Sequence, residues 1–212
     1  MTSVPTTSSE ASNNIVGNTV GSPRLPASAR REQILDVALG VFGTAGYHGA
    51  SMNDIADAAG VTKPVLYQHF ASKRELYLAL IDAAGERLIE AITSATRFAG
   101  DGRAQTELGF QAYFRWVAEE HDAFMLLFGG TARRDDEFSF AVRRITDDAA
   151  RAIAPLIAVE LAPADRETIA HGLVGLAEGA SRRLVEAQTP FDPDIAARSI
   201  SRLAWAGLRS LG

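Results

Sequence analysis

Apolar residues in this chain recur at steps of three and four, and no run alternates apolar with polar between turn residues, so the pattern predicts helices and no strand. The first stripe, Ile34, Val37, Ala38, Val41, Phe42 and Ala45, belongs to a helix expected from Ser28 to Ala45 and stopped by Gly46. Ser51-x-x-Asp54 places a hydroxyl over free amides and a carboxylate at the positive end of a helix dipole, starting a short second helix that ends at Gly60. Thr62 is placed to cap a third, with Pro64 in its first turn where no hydrogen bond is lost, running to about Phe70. Ser72-Lys73-Arg74-Glu75 reads as a capping box for a long fourth helix carrying Leu76, Leu80 and Leu88. Beyond it, helices are expected near 103–121, 122–129, 135–159, 164–189 and 193–210, and Pro155 should bend the third of these or end it early.

The fold expected from this pattern is all-α: a three-helix head over 28–73 that contains a helix-turn-helix, then a larger helical core over 74–212. Residues 1–27, rich in Ser, Thr, Asn, Gly and Pro, carry too little apolar surface to order themselves and read as a disordered tail. The absence of cysteine excludes disulfides and thiolate metal sites. The longest apolar run, Ala123 to Phe128, is too short to cross a membrane, and no basic residue precedes Arg24 as a secretory signal requires, so a cytoplasmic protein without a membrane partner is expected. A net charge of −5 has the wrong sign for gripping nucleic acid with the whole surface, which confines any DNA contact to a local face.

One segment supplies such a face. Two short helices crossing through a tight turn need a small residue at the crossing, a residue tolerant of positive φ in the turn, and apolar residues pointing inward. Ala56, Gly60 and the set Ile55, Ala59, Val61, Leu66 and Phe70 meet these needs in order. The third helix then turns Lys63, Pro64, Val65, Tyr67, Gln68 and His69 outward, without an acidic residue among them. Lys63 has the chemistry to donate to guanine, Gln68 to pair with adenine, and Val65 or Pro64 to touch a thymine methyl. Tyr67, His69, Lys73 and the amides at Ser51 suit phosphates, and Asn53 completes this candidate DNA-binding set. Spacing alone also fits a plain helical corner, and the head is neutral overall: between Ser28 and Leu76 five basic residues (Arg30, Arg31, Lys63, Lys73, Arg74) stand against five acidic ones (Glu32, Asp36, Asp54, Asp57, Glu75).

The run from Gly46 through Ser51-Met52-Asn53-Asp54-Ile55-Ala56 to Gly60-Val61-Thr62-Lys63-Pro64-Val65-Leu66-Tyr67-Gln68-His69-Phe70-Ala71-Ser72-Lys73-Arg74-Glu75-Leu76 resembles the N-terminal domain of TetR/AcrR-type regulators, over about residues 30–78. The resemblance implies a homodimer that sets two recognition helices in successive major grooves of a palindromic operator. It also implies that Thr62, Lys63, Pro64, Val65, Tyr67, Gln68, His69 and Lys73 lie at the DNA. Within the core, Gly172-Leu173-Val174-Gly175-Leu176 and Leu203-Ala204-Trp205-Ala206-Gly207-Leu208 resemble actinobacterial members that govern lipid synthesis and sense long acyl chains.

The core offers two further features. Phe110, Tyr113, Phe114, Phe124, Phe128 and Phe138 lie in an unusually aromatic stretch, where they either line a pocket for a small apolar or acyl ligand or fill a core. Gly172, Gly175 and Gly179 form a small-residue stripe beside Leu176, and Leu203 and Trp205 add bulk from the next helix, which fits either a dimer interface or close packing within one chain. Arg133-Arg134-Asp135-Asp136-Glu137 reads as a solvated charge run and Glu119-Glu120-His121-Asp122 as surface charge rather than a metal cluster. No Gly-x-Ser-x-Gly, phosphate loop or His-Glu-x-x-His is present, so neither an enzyme nor a cofactor or metal site is expected. The functional expectation is a repressor whose operator binding responds to a core ligand. The alternative is an effector-independent architectural DNA binder with the same head.

Overall fold

The computed structural model describes residues 26–187 and 189–211, so all but the last two residues of the expected N-terminal tail lie outside the described residues. The described residues form helices joined by short turns, with no strand among them: α1 (Ala27–Gly49), α2 (Met52–Ala58), α3 (Lys63–His69), α4 (Lys73–Thr96), α5 (Gly102–Glu119), α6 (His121–Phe128), α7 (Gly130–Arg134), α8 (Asp136–Ile153), a 3₁₀ turn (Ala154–Leu156), α9 (Pro163–Glu186) and α10 (Pro193–Leu208).

Backbone chemistry sets the breaks. Gly46 leaves the helical conformation at φ 70°, ψ 168°, so α1 is kinked there and its last turn swings away from the axis. Gly60, at φ 64°, makes the corner between α2 and α3. Thr62 holds the N-cap position of α3 but makes no side-chain hydrogen bond, and Pro64 in the first turn does the pre-organising. The box at α4 is shifted by one residue: Ser72 Oγ accepts from the Glu75 amide at 3.1 Å, while the Glu75 carboxylate takes the amide of Ala71, at 2.8 Å, instead of that of Ser72.

The helix expected over 135–159 is shorter at both ends. Asp135 accepts from the amides of Glu137 and Phe138, which starts α8 afresh after α7. Pro155 has no N–H to continue the ladder, and α8 gives way to the 3₁₀ turn just before it.

One buried apolar cluster runs from the head into the core, through Ile34, Ile55, Leu66 and Phe70, then Leu76, Leu80 and Ile81 of α4, to Phe114, Val117 and Leu127. Helix α4 therefore belongs to both parts. It packs on α5 and α8, and α10 packs on α5. The α4–α8 crossing is tight at Gly85, where an added Cβ would lie 2.5 Å from Ile145 Cδ1.

Candidate DNA interface and core cavity

At the start of α2 the Ser51 amide and hydroxyl both donate to the Asp54 carboxylate, at 2.9 and 2.7 Å, and the Asp54 amide returns to Ser51 Oγ at 3.2 Å. The Ser51 hydroxyl and amide hold the Asp54 carboxyl below its usual range. The Ser51 side chain is thus committed to its own helix, with Asn53 exposed beside it. In α3, Leu66 is fully buried and Phe70 nearly so, which anchors a helix too short to persist alone. Thr62, Lys63, Pro64, Tyr67 and Gln68 stand exposed on its outer side, while Val65 and His69 are half-buried.

Lys73 departs from the sequence-based expectation. Its Nζ donates to the carbonyls of Tyr47 and Ala50, at 2.7 and 2.8 Å, and lies 4.6 Å over the Tyr47 ring. Two of its three donors serve the end of α1, so Lys73 is a brace inside the head before it is a phosphate contact.

Next to it, Arg74 reaches the core. Its Nη atoms donate to the Asp135 carboxylate at 2.9 and 2.7 Å, and its Nε donates to Glu137. These carboxylates raise the guanidinium pKa still further, and the Asp135 carboxyl falls below its usual range chiefly because Arg74 donates to it. The run from Arg133 to Glu137 is therefore not merely solvated. The guanidinium also lies 4.7 Å over the ring of Phe138, which meets Tyr47 at 5.1 Å and Tyr77 at 4.5 Å. Burial pushes the Tyr77 phenol up to about 12.

A cavity lies in the core between α4, α5, α8, α9 and α10, closed on one side by the 3₁₀ turn and the residues after it. It offers about 100 Å³ to the centres of water-sized molecules, well above the roughly 10–15 Å³ that one water needs. Its wall is aliphatic and aromatic, including Leu88, Ile92, Ile145, Ile153, Leu173 and Leu208. Of its hydroxyls, Thr96, Thr106 and Thr146 donate back to the carbonyls of Ile92, Gly102 and Arg143, at 2.9, 2.8 and 2.8 Å, which leaves their methyl groups for the cavity. Glu178, the charged residue on the wall, is held by Arg182. Burial pushes the phenol of Tyr113, beside Ser181, well above its ordinary value.

Of the six aromatic candidates, Phe110, Tyr113 and Phe128 line this cavity. The other three do not. Phe114 is fully buried between helices, Phe124 packs at 5.1 Å on Phe128 behind the wall, and Phe138 belongs to the joint under Arg74. Helical periodicity marks them all as inward-facing but cannot tell a solid core from a hollow one. Thr96, Ile145 and Leu173 are wall residues that no aromatic signal could reveal.

On α9, Gly172, Gly175 and Gly179 are exposed, and a Cβ added at any of them would meet nothing within 4 Å. Their close-approach surface is unused among the described residues. Leu203 is 62% exposed, while Leu176 is half-buried against the core. Trp205, from the same candidate interface set, lines the cavity, and its ring would lie 3.4 Å from a Cβ at Gly102. No helix among the described residues is long and apolar enough to cross a membrane.

Comparison with known proteins gives concordant results. Residues 34–80 match the model described as bacterial regulatory proteins, tetR family, and residues 103–207 match a tetracyclin repressor-like C-terminal domain. The chain is 35% identical over 194 residues to the HTH-type transcriptional activator FasR of Mycolicibacterium smegmatis, covering 91% of this chain and 88% of that protein. A TetR-like transcriptional regulator from Rhodococcus sp. RHA1 is 32% identical, with a TM-score of 0.69 over 88% of this chain and 99% of that one. At 17% identity, FadR from Bacillus subtilis in complex with stearoyl-CoA shares the fold, with a TM-score of 0.73 over 82% of this chain and 96% of that one.

Proposed function

Because the chain belongs to the TetR family of bacterial transcriptional regulators, we propose that it is an operator-binding homodimer whose DNA affinity is changed by an apolar or acyl molecule in the core cavity. The observation that carries this reading is the cavity itself, hollow and largely apolar, with its threonine hydroxyls turned back onto the backbone, on the same α4 and α8 that support the head. The Bacillus protein of like fold holds stearoyl-CoA, which supports an acyl compound as the class of effector. On the DNA, Lys63, Pro64, Val65 and Gln68 read bases, and Thr62, Tyr67 and His69, with Asn53 at the start of α2, contact the backbone, while Ser51 caps that helix. A dimer formed across Gly172, Gly175, Gly179 and Leu203 would place two such heads on half-sites about 34–36 Å apart. An effector acts only as far as its affinity differs between the DNA-competent and incompetent arrangements.

Repression needs nothing more than an occupied operator, and it is the first reading. The name of the 35% identical relative, an activator, favours a second, in which the bound dimer raises transcription. Footprinting on the DNA upstream of its own gene, followed by transcription in vitro from that promoter with stearoyl-CoA and shorter acyl compounds, tests all of this. A protected palindrome and an acyl-dependent change in transcript are expected. No protected palindrome overturns the DNA reading, protection indifferent to every acyl compound returns the architectural alternative, and the direction of the transcript change decides repressor against activator.

A further inference from the structure

The charged run that opens α8 has a partner in the first turn of α4. Arg74 forks onto Asp135 through two nitrogens and onto Glu137 through a third, with its plane over Phe138. Asp135 is also the N-cap of α8, accepting from the amides of Glu137 and Phe138 at 3.1 Å each, so one carboxylate both starts α8 and holds α4. Phe138, fully buried against Tyr47 and Tyr77, draws the end of α1 into the same joint. Further along the pair, Arg144 of α8 bonds Asp82 of α4, and Ile145 fills the space over Gly85. The head is therefore fastened to α8 as well as carried by α4.

We propose that Arg74 is a positioning residue for operator binding, holding the head at a fixed angle on the first turn of α8. A guanidinium paired bidentately fixes orientation as well as distance, and the stacked ring beneath leaves it one plane to lie in; an ammonium would supply the charge without the direction. The other end of α8 contributes Ile145, Thr146, Ala149 and Ile153 to the cavity wall. A shift of α8 at the cavity is thus delivered to the head through Arg74, in addition to any bending of α4. The proposal rests on the reading of α3 as the DNA-contacting helix.

The chain has no cysteine, so nitroxide labels at Ala58→Cys in α2 and Ala118→Cys in α5 report the angle of head to core by pulsed electron paramagnetic resonance. Labelled chains are diluted into unlabelled ones so that distances within one chain dominate. The wild type should give one narrow distance distribution and Arg74→Ala a clearly broader one. If one head orientation in about ten stays competent, affinity for the upstream DNA falls by about ten-fold. Arg74→Lys should broaden the distribution as well, which a role of simple charge would not produce. Asp135→Asn keeps a capping acceptor for α8 and loses the fork, so it carries the same comparison should Arg74→Ala fail to fold. Wild-type width and affinity in Arg74→Ala or Asp135→Asn, or full rescue by lysine, would overturn the proposal. If the wild type does not bind its upstream DNA, the reading of the interface fails, and the distance widths still judge the joint.

Discussion

Lys63 and Lys73 carry the same charge in opposite surroundings. Lys63 begins α3 and is exposed, free to follow a base edge, whereas Lys73 is bound to two carbonyls and an aromatic ring. Replacing Lys63 by Ala should relax preference at one base-pair position by about 1–3 kcal/mol, read by selection from randomised operators. Replacing Lys73 by Ala removes the donor to both Tyr47 and Ala50 carbonyls and should destabilise the head by about 1–3 kcal/mol, seen as a lower thermal midpoint. A Lys73→Ala protein that melts like the wild type and shows only a shallower salt dependence would restore Lys73 to the phosphates. The difference between the two lysines is not legible in sequence. A cation in the first turn of α4 opposes that helix's own dipole, so something else must hold it, and the carbonyls at the end of α1 do so with favourable sign. That α1 ends beside α4 follows from the kink at Gly46 and the corner at Gly60, which local spacing marks as breaks without giving their direction.

Elements meet most closely where α4 crosses α8. At Gly85 a methyl group would collide with Cδ1, Cγ2 and Cγ1 of Ile145, at 2.5, 2.6 and 2.8 Å, and two of these are bonded to Cβ, so they clear it only by a change of χ1 or a shift of the backbone. Gly85→Ala should therefore cost about 1–3 kcal/mol in urea unfolding and drive Ile145 toward the cavity, and Ile145→Val in the same chain should recover part of the loss. No recovery would mean that the strain lies elsewhere on α4. The start of α8 adds a pH signature. The folded-state pKa of Asp135 is lowered by Arg74, so its contribution is fully present above the ordinary carboxylate range and is lost as the pH falls through the lowered value. Between about pH 5 and pH 2 the wild type should lose more stability than Asp135→Asn, and equal losses would deny Asp135 that role. At this scale the sequence reads well where chemistry is local: Ser51 with Asp54, Pro155 ending α8, and Pro163 and Pro193 opening α9 and α10 all lie where residue type alone puts them. The bond from Arg74 to Asp135 spans 61 residues and leaves no local trace.

At the scale of the whole molecule, Gly172, Gly175 and Gly179 leave a stretch of α9 uncovered by the other described residues. The open glycines of α9 tolerate side chains in the single chain but not in a dimer built across them. Gly175→Leu or Gly179→Leu should still fold to the same helical content, sediment as a monomer, and lose tight operator binding. A dimer that survives both changes would place the interface on another surface. The general fold and the head were readable from periodicity and turn residues because both reduce to which side of a helix is apolar. The hollow in the core was not, since a cavity is a deficit of side-chain volume summed over several helices, and wall residues such as Thr96 or Ile145 look like any other inward residue.

The cavity is walled by helices of a single chain, which bears on dosage as much as on recognition. If the chain acts as the proposed effector-responsive dimer, that dimer would count two effector molecules, each at its own address, while the promoter registers one event. If either filled cavity suffices to spoil the fit, the share of competent dimers falls as the square of the unfilled fraction, and the gene responds before half the cavities are taken. If both must fill, the response lags and then steepens. The order of the dose curve for transcript against effector therefore counts how many heads a promoter must lose.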